Sequence, residues 1–268
     1  MKDERTLQEL AQEAIDIQSA GAEPADFRIS GQTSRLQFER VDLLLAAAQD
    51  MAGQARLLEA RDLLLDVLAR DPEYAPAYLT LATVYESAGL IEDAMSTFAR
   101  AIDLAPENPL LVSAAVFGSD RDPNATLEDG YRLRRRFNDL IKKTLPPALP
   151  PKNLPVPDRK LRVGYVSGDL RSHSASKVFG VVLLKHNTEQ IDVCAYMTQA
   201  GEDWLTETLK AGIPHWRDAS AWSDDRLYDQ IRSDEIDILV DLSGHSSGNR
   251  LAMFARRPAP VQETAWGY

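Results

Sequence analysis

Leu161-Arg-Val-Gly-Tyr-Val-Ser-Gly-Asp-Leu-Arg-Ser-His173 decides the fold of this chain. It opens with a short run of apolar and β-favouring residues, broken only by Arg162, and a Ser-Gly-Asp turn follows. A run of this kind predicts a strand covered on both faces. The next residues keep alternating. Helices are predicted over 174–185, 204–211, 224–233 and 249–255, with strands over 191–197, 215–217, 236–242 and 261–266. Strand and helix in regular alternation predict a parallel α/β sheet. The expected architecture is a Rossmann-like half-domain whose ligand crevice lies outside the carboxyl ends of its strands.

Two of the four histidines fall at such ends. His173 closes the turn after the first strand, just before a helix. His245 follows the apolar strand in Asp241-Leu-Ser-Gly-His. They are 72 positions apart, a separation that disappears in space if the two strands are neighbours. Two histidines beside helix starts and next to Gly168 and Gly244 make a site for an anionic or sugar-bearing ligand, or they are loop residues bonded only to backbone. His186 is expected to complement a helix C-terminus, and His215 to be structural. Asp237 and Asp241 sit at opposite ends of one strand and offer no metal-holding pair.

Ahead of the α/β region, six of the twelve residues 146–157 are proline, too many for a helix or a central strand. The domain boundary is expected in this stiff segment. Further upstream, residues 41–74 align under residues 75–108 with a 34-residue period. Tyr78, Leu81, Ala82, Tyr85, Ala94, Phe98, Ala101 and Pro106 occupy the signature positions of a tetratricopeptide repeat. The first copy carries Leu44, Ala47, Ala48, Met51, Ala60, Leu64, Val67 and Pro72 in the same places. Small alanines let two antiparallel helices approach, and each proline ends a second helix. A further helix is expected over 4–19, a loop around Gly31-Gln-Thr-Ser, a capping helix over 110–117, and a basic helix from Thr126 with a capping-box start. The basic helix is either an anion site or a solvated face. The organisation read from the chain is a helical segment over 1–40, repeats and connecting helices over 41–145, a linker over 146–160, and the α/β lobe over 161–268.

Composition narrows the function. Of 268 residues, 44% are hydrophobic and 26% charged, as in a folded globular protein. With 41 acidic against 30 basic side chains the net charge is −11, which argues against nucleic acid as a partner. No run of 18 apolar residues predicts a membrane span. The single cysteine, Cys194, lies in a predicted strand as a packing residue and fits a reducing cytoplasm. There is no Gly-x-Gly-x-x-Gly or Walker loop, and no zinc-ligand spacing.

The order of these parts resembles the bacterial members of the O-linked N-acetylglucosamine transferase family (glycosyltransferase family 41). It carries repeats, a proline hinge, the stretch ending at His173, and Ser-Gly-His…Asn-Arg-Leu…Phe-Ala-Arg-Arg-Pro-Ala-Pro-Val-Gln…Trp-Gly-Tyr. The resemblance covers most of residues 41–268, and the Arg-Pro-Ala-Pro block is its most specific part. It implies α-helical repeats followed by one half of a two-lobed, GT-B-type glycosyltransferase, inverting and metal-independent. The implied reaction transfers GlcNAc from UDP-GlcNAc to Ser/Thr hydroxyls of proteins, with no cofactor beyond that donor substrate. Carried over residue by residue, His173 matches the active-site histidine, and Asp229 matches an aspartate that supports the histidine's loop. Ser243, Gly244 and His245 fall beside the crevice. Lys177 stands where animal members carry a second histidine. Protein or peptide acceptors are expected on the concave face of the repeats, with no membrane partner, a cytoplasmic location and a possible homo-oligomer.

Family members continue past Gly-Tyr into a second lobe holding most donor contacts. The chain is therefore expected to be an incomplete catalytic region, inactive by itself. Two alternatives stand beside the enzyme: a repeat-based binding module with a vestigial catalytic half, and a family transferase using another nucleotide sugar such as GDP-fucose.

Overall fold

The computed structural model describes residues 32–265 apart from 148 and 157, with backbone alone for 32–40. The helix expected over 4–19 lies outside the described residues. The chain divides into two compact units, Met1–Leu133 and Arg134–Tyr268.

The described part of the first unit holds helices α1 (Gln32–Gly53), α2 (Leu57–Arg70), α3 (Ala75–Ser87), α4 (Ile91–Leu104), α5 (Pro109–Ser119), and the start of α6 (Leu127–Thr144). The repeat positions read from the sequence form its core. Ala47, Ala48, Ala60, Leu64 and Val67 are buried, and Leu81, Ala82, Ala94, Phe98 and Ala101 are buried at the corresponding positions of the next copy. Pro72 and Pro106 each lie two residues beyond a helix end, where they stop it from continuing. Asn108 caps α5 by accepting the Leu110 N–H at 3.0 Å, with Pro109 as the first helical residue. Thr126 and Asp129 exchange bonds across the first turn of α6, Thr126 N to Asp129 Oδ2 at 2.9 Å and Asp129 N to Thr126 Oγ1 at 3.2 Å. This is the capping box that the sequence suggested. The loop expected around residues 31–34 is corrected: helix α1 already begins at Gln32.

The second unit holds β1 (Leu161–Ser167), α7 (Ser174–Leu184), β2 (Ile191–Met197), α8 (Trp204–Gly212), β3 (His215–Asp218), α9 (Asp224–Ser233), β4 (Ile238–Asp241), α10 (Leu251–Ala255) and β5 (Val261–Thr264). Its five strands are all parallel, in the order β3-β2-β1-β4-β5. Strand alternation sends Val163, Tyr165, Val193, Ala195 and Val240 to one face against Phe179 and Leu183 of α7 and Leu209 of α8. The other face carries Val166, Cys194, Tyr196 and Leu239 against Leu227 and Ile231 of α9 and Met253 of α10. Both faces are covered, as a parallel sheet requires. Cys194 is 3% exposed, and burial pushes its thiol up to about 12, so it packs and does not react. Among the described residues no helix is long and apolar enough to cross a membrane.

The amino edge of this sheet is closed by the proline segment. Asn153 donates to Asp237 Oδ1 at 2.7 Å, the Arg159 guanidinium to both Asp237 oxygens at 2.6 and 2.5 Å, and the Arg162 N–H to Oδ2 at 2.9 Å. Arg232 of α9 donates to the carbonyls of Leu149 and Pro150. The segment is thus bound to the α/β unit, and the division between units falls upstream of it, inside α6. The physical reason is that prolines lack donors but keep free carbonyls, which Arg232 takes up. Two cavities, of about 270 and 340 Å³, open at this edge and share Arg162 and Asp192. Three ion pairs line them: His215 with Asp192 at 3.1 Å, Arg217 with Asp234 at 3.0 Å and Arg162 with Glu235 at 2.8 Å. The cavities are seams between elements.

Burial alone would raise the Asp237 carboxyl, but the Arg159 guanidinium and the Arg162 and Asn153 donors hold it below its ordinary value of 3.8. A depressed folded-state value stabilises the protein above the unfolded value, and that contribution is lost as pH falls through the folded one. Asp237→Ala leaves Asn153, Arg159 and the Arg162 N–H without their shared acceptor and is expected to cost about 1–3 kcal/mol at neutral pH. The deficit should begin to shrink as the pH falls below about 4, where the unfolded carboxyl protonates, and disappear only below the depressed folded-state value. Urea titrations of both proteins at pH 7 and pH 3 check this, and equal stability at pH 7 would contradict it.

Candidate functional site

β1 and β4 are hydrogen-bonded neighbours, with Val163 to Val166 in register with Ile238 to Asp241. The turns that follow them therefore leave the same edge side by side, and the condition for bringing the two histidine loops together is met. The loops touch directly: the Gly168 N–H donates to Ser243 Oγ at 3.1 Å.

The β1 turn is held by its own backbone and by two neighbouring helices. Ser167 Oγ accepts the Asp169 N–H at 3.0 Å, the Ser176 hydroxyl donates to the Asp169 carbonyl, and Thr206 Oγ1 of α8 donates to the Leu170 carbonyl at 2.9 Å. Asp203 caps α8 through the Leu205 and Thr206 N–H groups, and its second oxygen accepts the Ser172 N–H at 2.6 Å. One carboxylate thus anchors both a helix and the residue beside His173. Against a desolvation that would raise it, the backbone donors of Ser172, Thr206 and Leu205 hold the Asp203 carboxyl below the usual range.

His173 is the extended N-cap of α7, with its side chain 46% exposed. Its Nδ1 accepts the Ala175 N–H at 3.3 Å and lies 3.7 Å from Asp169 Oδ2. These contacts belong to different tautomers. With Nδ1 accepting from Ala175, the ring proton sits on Nε2. With Nδ1 protonated toward Asp169, the Nε2 lone pair is free to take a proton.

The β4 turn is organised from inside the sheet. Asp241 is 2% exposed, and its carboxylate accepts the N–H groups of Ser243 and Gly244, both at 3.0 Å, and the Thr264 hydroxyl at 3.2 Å. Burial raises its carboxyl above the ordinary value, against the pull of these donors. Gly244 then takes a positive φ of 55°, which turns the chain toward His245. The His245 ring meets Phe137 of α6 edge-on, with centroids 5.0 Å apart at 80°. Ser243 is buried and serves as the latch to Gly168, while Gly244 serves the turn.

The aspartate expected to support the His173 loop lies elsewhere. Asp229 is exposed on α9, which packs on the opposite face of the sheet from α7. Asp203 and Asp169 hold the loop instead. Asp203 announced itself only as a helix cap, and Asp241 as the polar end of an apolar strand. Lys177 is exposed on the first turns of α7. His186 does not act as a helix-end cation: its Nε2 shares a 2.7 Å hydrogen bond with the Tyr165 hydroxyl, and burial lowers its pKa. His215 bridges β3 to Asp192 of β2, a structural role. Immediately before the Arg-Pro-Ala-Pro block, Arg256 lies over the Tyr228 ring at 4.0 Å and pairs with Asp225 at 2.6 Å, contacts that fix the chain as it approaches β5. Among the described residues no group of three or more His, Cys, Asp or Glu side chains is placed to hold a metal ion.

Residues 140–268 match the family model described as Glycosyl transferase family 41, and residues 51–115 match the Tetratricopeptide repeat model. A probable UDP-N-acetylglucosamine–peptide N-acetylglucosaminyltransferase, SEC of Arabidopsis thaliana, is 33% identical over 154 residues, which are 55% of this chain and 16% of that protein. The SPINDLY protein of Solanum lycopersicum, named for the same activity, is 34% identical over 144 residues, 52% of this chain and 15% of that protein. The solved structure of a K341M mutant of the Thermobaculum terrenum O-GlcNAc transferase superposes with a TM-score of 0.81 at 27% identity, covering all of this chain and 52% of that one. The chain thus spans about half the length of that enzyme and a smaller share of the plant proteins. Both the resemblance read from the sequence and the expected fold of helical repeats followed by a parallel α/β half are borne out.

Asp203→Ala should lower the thermal midpoint and speed amide exchange at Ser172 and through the first turn of α8, because both lose the same acceptor. Asp229→Asn should change neither. Exchange mass spectrometry on the two variants checks this, and a loosened His173 loop in Asp229→Asn alone would overturn the assignment.

Proposed function

We propose that the protein is an inverting, metal-independent glycosyltransferase that moves GlcNAc from UDP-GlcNAc to Ser and Thr hydroxyls of proteins, with the α/β unit as one catalytic lobe. The observation that carries this reading is the pair of histidine loops at the carboxyl ends of β1 and β4, within the residues that match the glycosyltransferase family model. Acceptor proteins would be gripped by the concave face of the repeats, whose stacked helices form an extended surface suited to peptides. A cytoplasmic setting fits the single buried thiol.

The chemistry assigned to this lobe is proton handling at the acceptor. A Ser or Thr hydroxyl is a weak nucleophile at neutral pH, and it improves when a base takes its proton as attack begins. In the tautomer with its proton on Nδ1, 3.7 Å from Asp169 Oδ2, His173 offers Nε2 for that role. The acceptor oxygen bonds to the anomeric carbon from the face opposite UDP, the bond from that carbon to the diphosphate oxygen breaks, and the proton passes to Nε2. Asp169 then faces an imidazolium, which its charge stabilises. Ser243, Gly244 and His245 shape the wall on the β4 side.

The test is transfer from UDP-GlcNAc to acceptor proteins by the native protein, with GDP-fucose as a competing donor. Transfer of GlcNAc supports the reading, while transfer of fucose alone, or partner binding without transfer of either sugar, contradicts it. His173→Ala should cut kcat by about 10²-fold or more and shift stability by about 1 kcal/mol or less. His215→Ala should leave kcat within about twofold, as expected of a substitution away from the site. A His173→Ala protein that melts early yet keeps full specific activity would remove the histidine from the mechanism.

A further inference from the structure

Gln199, in the turn after β2, lies between the two histidine loops and bonds to both. The Arg171 guanidinium donates to Gln199 Oε1 at 2.9 Å, and Gln199 Nε2 donates to Ser247 Oγ at 2.7 Å. Arginine has donors only, so the amide oxygen must face Arg171 and the amide nitrogen Ser247, which fixes the orientation of the side chain. These partners are 28 and 48 positions away in sequence, and neither belongs to the turn of Gln199 itself.

The space the amide occupies exists because both loops carry glycine there. A Cβ on Gly248, whose φ is +78°, would lie 2.6 Å from Gln199 Cγ. One on Gly168 would lie 2.9 Å from the Ser247 carbonyl oxygen and 3.2 Å from Gln199 Cγ. The preceding residue reinforces the contact, with Thr198 Oγ1 donating to the Gly248 carbonyl at 2.7 Å. Arg171 is two residues before His173, and Ser247 two residues after His245.

We propose that Gln199 is a positioning residue, a bridge that sets the spacing between the His173 loop and the His245 loop so that both rings address one ligand. Its catalytic consequence rests on the function proposed above, whereas its effect on the loops does not. A turn glutamine serving only its own loop would bond locally, and this one does not. Exposed loops with few apolar contacts open at low cost, so a shared polar bridge is the means by which their separation can be kept.

Amide exchange measured by mass spectrometry on the 268-residue chain tests the bridge. Gln199→Leu, close in size but without donor or acceptor, should speed exchange in residues 168–173 and 243–249 together. Gln199→Glu should restore wild-type exchange, because its carboxylate accepts from Arg171 and the Ser247 hydroxyl can turn to donate. If the leucine variant does not fold, Gln199→Asn, one methylene short, should show the same paired loosening to a smaller extent. Exchange that rises only in residues 198–203, or in one histidine loop without the other, overturns the bridge, as does failure of the glutamate to restore it. In the native protein, Gln199→Leu should lower kcat about 10- to 100-fold, the scale of a small misplacement of catalytic groups, and leave KM for UDP-GlcNAc within about twofold. Paired loosening with unchanged kcat overturns the positioning role. A wild-type protein that transfers no GlcNAc refutes the proposed reaction and leaves the exchange result to decide the bridge.

Discussion

The buried carboxylate of Asp241 is the interaction on which the carboxyl edge of the sheet depends. Removed from water at the end of β4, it must be satisfied from within the protein, and it takes the next two free backbone N–H groups of its own chain and the hydroxyl of Thr264. That requirement bends the chain sharply after Leu242, sets Gly244 in its left-handed conformation, and puts Ser243 where its hydroxyl can receive the Gly168 N–H. The β1 turn is thereby tied to the β4 turn at its first residue.

The parallel sheet supplies the other constraint. Because every strand runs the same way, all five carboxyl ends and the loops they launch lie along one edge, and all the amino ends lie along the other. The two edges are finished differently. At the amino edge Asp237 collects Arg159, Asn153 and the Arg162 N–H, and the proline segment is bound down by matched charges. At the carboxyl edge the polar groups of the loops bond to one another and leave the face of His173 open. A rigid, internally neutral edge and an edge with an exposed imidazole are what a lobe needs if one side is scaffold and the other handles a proton.

Much of this was legible in the sequence because it is carried by periodicity. The alanines and large residues of the repeats declare which positions must be buried, and apolar strands separated by helices declare a parallel sheet. Even the meeting of the two histidine loops could be stated as a condition on strand order. The supports of the site could not be read in this way. Asp203, Gln199 and Asp241 act through hydrogen bonds across 23 to 48 positions or to nearby backbone, and no residue pattern distinguishes them from ordinary caps and turn residues. Asp229 shows the opposite failure: position in a motif suggested a neighbour of His173, but the helix register turns it to solvent on the other side of the sheet. Phe137 was hidden because it comes from a helix ahead of the proline segment and reaches the site only through the fold.

The most direct test is a structure of the native protein with UDP-GlcNAc and an acceptor peptide bound. The acceptor hydroxyl is expected at the carboxyl edge, within hydrogen-bond reach of His173 Nε2 at about 3 Å, with the β4 loop against the same ligand. An acceptor or sugar seated at the amino edge beside Arg162 and Arg217, with His173 facing only solvent, would contradict it.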